Sequence, residues 1–518
     1  MSDIYKDATL PHAESSAKHL ALKGEVIRPH ELSLNDDRLN CDIIVIGSGA
    51  GGATVAATAA EAGKRVLLLE EGPGYTPRDY SSNFSGMTAE MMRHGGATII
   101  MGRSPIAYLE GKVLGGSTVL NGGMCWRTPE EVLDQWTKTG LDQLTPQKLE
   151  PYFDLVEEVI QARYQNVGSE GENNHVFRRG AEAMGWQLQR NKRNQVHCVG
   201  TNDCVSGCPT GAKQSTAETW VPRFLRLGGH VLTHAKVTRI RTKQHKVTGV
   251  DVQLLQTYKK RKLFISAPKV VVACGAVQTP LLLQRSKIIK NKHLGQHFTI
   301  HPNAKVAALF DTPIASMRGV HQAWQCTEFQ DEGILMAPGG VPLSVIAQCF
   351  PMLGTDLTEQ MRLAPYIATA GVLVDDSQAG YIKAGPFGFD HIRYDVTDSD
   401  QERFIRGVQR LAQIYFAAGA RKVYTPFAEV PYLDHPEQIR RLADVSPKVE
   451  HTEYFTAHLM GTCRMSAQAE DGVVGPNGES WDVSGLYIAD ASVMPGTIGV
   501  NPQVTIMTLA RLIGETLG

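Results

Sequence analysis

Two apolar runs without polar interruption, Ile43 to Ile46 and Val66 to Leu69, bracket an alanine-rich stretch from Ala53 to Ala62. Runs that do not alternate apolar and polar positions suit strands buried on both faces, as in a parallel sheet, and the alanines suit a helix packed closely against them. The pattern predicts a strand, helix and strand over 41–72. Gly47, Gly49 and Gly52 fall at G-x-G-x-x-G positions, which give a tight turn, close approach of backbone to a pyrophosphate, and close helix–sheet contact. A phosphate at the start of this helix meets free N–H groups and the positive end of the macrodipole. Glu70 ends the second run about 20 residues on, where a carboxylate accepts hydrogen bonds from a ribose diol and disfavours a 2′-phosphate. The unit reads as a dinucleotide site, with FAD and NAD both open.

Further along, residues 76–112 are rich in Gly, Met, Ser and Arg and predict an irregular covering segment leading into a second glycine turn, KVLGGSTVLNGG. A helix is predicted from Thr128-Pro129-Glu130, with Thr as cap and Pro in the first turn. Helices around a polar loop are expected over 147–190, then a cysteine segment at 197–213 and a short helix, TWVPRFLRL, ended by Gly228-Gly229. Strands resume at His230, and AKVTRIRT, KVTGVDVQL and KLFISAPKVVVACG read as added strands and a return strand. Between 305 and 450, runs such as AKVAALF and YIATAGVLV predict strands, and 399–419 a helix. No fixed-period repeat or low-complexity tract is present.

With 518 residues and 42% hydrophobic content, the chain is long enough for more than one domain. A net charge of −1, with no long basic run, leaves no electrostatic footprint for nucleic acid or an anionic membrane. The N-terminus lacks the apolar core of a signal peptide and no run is long enough to span a bilayer, so a cytoplasmic protein without a transmembrane segment is expected. Nine cysteines, several in apolar strands (Cys41, Cys274), argue against a secreted disulfide framework.

Three further blocks, GKVLGGSTVLNGGMCWRTP at 111–129, CGAVQTPLLLQRS at 274–286, and HLMGTCRM at 458–465 joined to GLYIADASVMPGTIGVNPQVTIMTLA at 485–510, together with the opening turn, resemble the glucose-methanol-choline oxidoreductases. The resemblance implies an α/β fold: an FAD-binding Rossmann-like domain and a second α+β substrate domain on an antiparallel sheet. Its expected divisions are an extension over 1–40, the FAD domain over 41–304, the substrate domain over 305–450, and a return over 451–518. By the same resemblance, Gly47, Gly49, Ala50, Gly51, Gly52 and Glu70 hold the ADP half. Gly115, Gly116, Ser117 and Asn121 form a second FAD-contacting loop, Val237 lies on the adenine side, and Asp490, Ala491, Asn501, Pro502 and Gln503 meet the flavin. Leu120 occupies the position where some members attach FAD through histidine, so noncovalent FAD is expected.

The family pattern places a histidine and an asparagine beside the flavin, here His458 and Asn501. Neutral imidazole suits a base near neutral pH; an amide can instead orient the substrate and donate to a developing alkoxide. His301, in LGQHFTIHPN, also lies in a recurrent family segment, but a structural hydrogen bond accounts for it at least as well, and it is left outside the expected site. Cys198, Cys204 and Cys208, spaced C-x5-C-x3-C-P, resemble the iron–sulfur segment of bacterial FAD glucose dehydrogenase catalytic subunits and a cysteine-rich stretch of long-chain alcohol oxidases. Three thiolates fit a [3Fe–4S] cluster; zinc with His197 as fourth ligand, and free thiols, remain alternatives. The expected activity is oxidation of an alcohol, favoured as apolar, with electrons passing through the cluster to a non-oxygen acceptor such as a cytochrome or quinone. The absence of a C-x-x-C-H haem motif calls for an external acceptor or a small partner subunit, whose signal could also carry the chain out of the cytoplasm. An oxidase making hydrogen peroxide, a flavin-containing lyase and a flavin-binding subunit without its own substrate are the alternatives.

Overall fold

The computed structural model describes residues 18–19, 24–32, 38–256, 261–350, 352–446, 450 and 452–518. Much of the expected N-terminal extension, at 1–17, 20–23 and 33–37, lies outside the described residues.

The uninterrupted apolar runs form the centre of a six-stranded sheet, in the order Glu25–Ile27, His230–Leu232, Val66–Leu69, Ile43–Ile46, Lys269–Val272, Leu486–Ile488. Every pairing is parallel. The two central runs are wholly buried, because helices cover both faces of a parallel sheet. The alanine-rich helix, Ala50–Glu61, and the last helix, Gln503–Glu515, pack so closely that a Cβ on Gly514 would stand 2.7 Å from Thr58. The strands Ala235–Lys243, Lys246–Leu254 and Arg261–Ser266 form an antiparallel meander at one side of the cofactor half.

A second sheet, largely antiparallel, runs in the order Leu188–Arg190, Trp324–Cys326, Ile334–Pro338, Ile367–Val374, Asn303–Leu309, Tyr454–Thr456, Ile106–Tyr108, Thr98–Ile100, with Lys422–Tyr424 and Tyr432–Leu433 branching from it. Ala304, Val306 and Ala308 point into a core with Phe404, Val408 and Leu411 of the long helix Asp398–Ala417. Side chains alternate along a strand, so Asn303 and Lys305 lie on the opposite face, towards the cofactor half. The fold is thus the expected α/β architecture with a second, antiparallel lobe.

Two local expectations need correction. The 76–112 segment is not merely irregular: it holds a helix, Phe84–Met91, capped by Asn83, the edge strand Thr98–Ile100 and its inner neighbour Ile106–Tyr108. Three-residue strands are too short to show a periodicity. Thr128 does not cap the next helix. Its hydroxyl pairs with that of Thr505 at 2.9 Å, and Pro129 stands at the cap position of Glu130–Thr137.

Candidate active site

The glycine turn at the end of strand Ile43–Ile46 is built by backbone contact. Gly47 has φ +96°, and a Cβ there would lie 2.3 Å from the Ala273 carbonyl oxygen. A Cβ on Gly51 would lie 1.7 Å from the Ala489 carbonyl oxygen, and one on Gly52 1.8 Å from that of Gly47. Gly49 differs: a Cβ there would meet no atom within 4 Å. Gly49 is the cap of Ala50–Glu61, no side chain caps this helix, and its first N–H groups are free for an anion. Glu70 does not stand free: Oε2 accepts from Ser48 N–H at 3.1 Å and Ser48 Oγ at 2.5 Å, and Oε1 accepts from Gly72 N–H at 2.8 Å. It thereby fixes the turn, and its burial pushes its pKa up.

The second loop lies against the first. Gly115 N–H donates to Ser48 Oγ at 2.9 Å, and a Cβ on Gly116 would stand 2.9 Å from Gly49 Cα. Ser117 Oγ accepts from Gly111 N–H at 2.9 Å. Asn121 Nδ2 donates to Gln503 Oε1 at 2.7 Å, and Gln503 Nε2 donates to the Met124 carbonyl at 2.8 Å. The loop is thereby tied to the last helix, for which Pro502 is the cap residue. Asp490 accepts from Gly275 N–H, Thr279 Oγ1 and the N–H and Oγ of Ser492, joining helix Gly275–Ser286 to the short turn that begins at Ala491. Val237 lies on strand Ala235–Lys243, just before a bulge. The cradle fits a dinucleotide: a turn closed by backbone contacts, one open glycine, an uncapped helix start and a carboxylate at the strand end.

His458 follows strand Tyr454–Thr456, where the antiparallel sheet hands the chain back to the cofactor half. Its Nε2 lies 3.1 Å from Asn501 Nδ2 and its Nδ1 3.2 Å from His301 Nδ1. The rings of His301 and His458 meet edge to face at 89°. His301 Nε2 lies 2.8 Å from Thr497 Oγ1 and accepts from Gly499 N–H at 3.0 Å. Thr497 Oγ1 in turn donates to Asp376 Oδ2 at 3.2 Å. Burial, with the nearby Lys305 charge, lowers the His458 pKa to about 4, and burial lifts that of Asp376 to about 6.

This array supports two polarities. If His301 Nε2 accepts from Gly499, the His301 proton sits on Nδ1 and points at His458 Nδ1, leaving a proton on His458 Nε2. If the Asn501 amide donates to His458 Nε2, the His458 proton sits on Nδ1 and the chain of donors runs through His301 and Thr497 to Asp376. Only the second polarity gives His458 an Nε2 lone pair able to receive a proton.

The sequence matches the GMC oxidoreductase family, with its N-terminal part over residues 42–303 and its C-terminal part over 382–510. The chain belongs to this family. It is 34% identical to an uncharacterized GMC-type oxidoreductase of Sinorhizobium fredii, covering 93% of this chain and 96% of the relative. It is 30% identical to a long-chain-alcohol oxidase of Arabidopsis thaliana, covering 93% and 67% respectively. Among solved structures, the formate oxidase of Aspergillus oryzae RIB40, described for its FAD modification, superimposes with a TM-score of 0.70 at 17% identity, covering 93% of this chain and 98% of that one. Membership makes this GMC oxidoreductase an FAD-type enzyme, in keeping with its cradle.

The metal expectation for this GMC oxidoreductase finds no support in the structure. Among the described residues no group of three or more His, Cys, Asp or Glu side chains is placed to hold a metal ion. Cys204 Sγ takes a hydrogen bond from Arg193 Nη2 at 3.2 Å, Cys208 Sγ takes one from Lys213 N–H at 3.4 Å, and Cys198 is only half-buried near Gln195. The loop is organised instead by the buried Lys213 ammonium, which donates to the carbonyls of Val119, Asn121 and Cys204. A [3Fe–4S] cluster and zinc with His197 are thus without support in this arrangement, as is the route to a non-oxygen acceptor that rested on the cluster. Sequence reading set His301 outside the site and missed Thr497, Asp376 and Lys305. The available signal for Lys305 was a lone cation inside the apolar run AKVAALF.

No helix among the described residues is long and apolar enough to cross a membrane.

Proposed function

We propose that this GMC oxidoreductase converts an alcohol to a carbonyl compound, with His458 as proton acceptor and Asn501 as the group that orients the hydroxyl. The observation that carries the reading is the His458–Asn501 contact of 3.1 Å, beside the loop that Asn121 and Gln503 tie together. The FAD held by the glycine turn, the 115–121 loop and the 490–503 segment supplies, when bound, the acceptor for the carbinol hydride. In the polarity with an Nε2 lone pair, a substrate hydroxyl that displaces the Asn501 amide from His458 gives up its proton there, and the amide can donate to the developing alkoxide. In that polarity His301 Nε2 donates its proton to Thr497 Oγ1 and Thr497 donates its own to Asp376, while the Gly499 N–H loses its bond to His301. Leu120 is apolar and buried and offers no nucleophile for a covalent flavin bond, so FAD is expected to be released by acid without proteolysis. In this reading residues 305–450 supply the substrate face and 451–518 the reacting groups. The long-chain-alcohol relatives and the apolar cluster of Leu309, Val341, Ile346 and Phe350 on the same sheet face as Lys305 favour a substrate with an apolar body.

The test is anaerobic mixing of the holoenzyme with a panel of primary, secondary, cyclic and sugar alcohols while the flavin band is followed. Bleaching by an alcohol class supports oxidation; a flavin that no alcohol reduces overturns it. A second expectation concerns pH. A base with a pKa lowered to about 4 is already neutral above that value and gains a proton only as pH falls through it. The acid limb of kcat/KM is therefore expected near pH 4 rather than near 6.5, the ordinary value for histidine. A limb near 6.5 in pH-jump stopped flow would place the base elsewhere.

A further inference from the structure

Lys305 is a cation without an anion. Its ammonium makes no hydrogen bond or ion pair among the described residues; its only charge-complementary neighbour there is the face of the Phe455 ring, with Nζ 5.0 Å from the centroid. Within the sheet it stands directly opposite Gly371 on strand Ile367–Val374. The missing side chain there leaves a notch. A Cβ on Gly371 would lie 3.1 Å from Lys305 Nζ and 3.2 Å from Asn303 Oδ1. Asn303 Oδ1 is itself buried and has no hydrogen-bond partner. Two side chains on one face of one strand thus bring unspent polar atoms together over a glycine. That face leads on one side to His458, whose ionisation Lys305 influences, and on the other to the apolar cluster around Val341 and Phe350.

Lys305 is partly exposed, and an ammonium drawn from bulk water into such a place is best held by an anion. Burial here does lower the Lys305 pKa, to about 8, which still leaves it charged at neutral pH. The groups near enough to contribute to its charge balance are His458, His321 and the Cys349 thiol, and none of them is a carboxylate. We infer that Lys305 is a specificity-determining residue that binds an anionic group of the substrate, so that the preferred alcohol carries a carboxylate on the same molecule as its carbinol. The inference deepens the alcohol-oxidation reading and rests on it for the carbinol, but not for the anion.

Two measurements on the FAD-loaded enzyme test it. The first titrates wild type and Lys305→Met with unsubstituted carboxylates, from butanoate to dodecanoate, and with their amides, following perturbation of the flavin spectrum. Wild type is expected to bind at least one acid about tenfold or more tighter than its amide, and Lys305→Met to lose that preference, as expected for loss of a charge-assisted hydrogen bond. The second compares ω-hydroxy acids with their methyl esters as reductants of the flavin. The acid-to-ester ratio of kcat/KM should exceed about tenfold in wild type and fall towards unity in the variant. Methionine matches the shape of the lysine stem and removes a buried charge, so FAD content and Tm are expected to hold. Equal binding of acids and amides by wild type, or a preference that survives Lys305→Met, overturns the inference. Carboxylate binding without flavin reduction by any alcohol would overturn the oxidation reading and leave the anion site standing.

Discussion

Replacing His458 with alanine is expected to slow flavin reduction by an alcohol by about 10²–10⁴-fold while leaving FAD bound. The size follows from the role: without a positioned acceptor the hydroxyl proton must leave to water, and the carbinol loses one of the two groups that orient it. Retention of FAD follows from position. His458 lies at the end of Tyr454–Thr456 and contacts Asn501 and His301, whereas the glycine turn is built by Ala273, Ala489 and Gly47 backbone. Stopped-flow reduction of enzyme with matched flavin content is the measurement. A decrease of less than about tenfold would mean that the proton leaves by another route.

The second large effect separates two neighbouring glycines. Gly51→Ala places a methyl 1.7 Å from the Ala489 carbonyl oxygen, which is backbone and cannot swing aside. Strand Leu486–Ile488 and helix Ala50–Glu61 would have to part, so loss of about 3 kcal/mol or more, or failure to fold, is expected. Gly49→Ala meets nothing within 4 Å in the protein itself. Its cost should fall on the cofactor: a folded chain of near wild-type apoprotein Tm that retains little FAD after gel filtration. If both variants bind FAD normally, the turn does not hold the pyrophosphate. If Gly49→Ala unfolds like Gly51→Ala, the distinction between packing and ligand contact is wrong.

These contrasts also mark what could be read from the chain before any coordinates. The glycine turn is a local device, one strand, one turn and one helix, so its parts are contiguous and their spacing carries the geometry. His458 and Asn501 were legible only through the family register, since no periodicity distinguishes them from other polar residues. The relay behind them was not legible, because His301, Asp376 and Thr497 come from three remote segments that meet only when the second sheet closes. Lys305 was hidden for the opposite reason: its strand was readable, but which face of the strand looks towards His458 depends on the long helix Asp398–Ala417 occupying the other. The cysteine segment could not be settled from the chain alone, because spacing fixes where sulfur atoms occur along it and not where they point. Cys208 sits at φ +70°, and Arg193 and the Lys213 N–H donate to the sulfurs of Cys204 and Cys208.

The seam at His458 bears on how such enzymes diversify. The run from Tyr454 to Met460 pairs with Ile106–Tyr108, touches Asn303 and bridges back to Thr299, so His458 is anchored where two lobes are stitched together. The cover of short helices at Leu343–Gln348 and Gly354–Met361 lies far along the chain from that stitch. Changes of length or composition in those two helices are therefore expected to leave the contact between His458 and Asn501 in place.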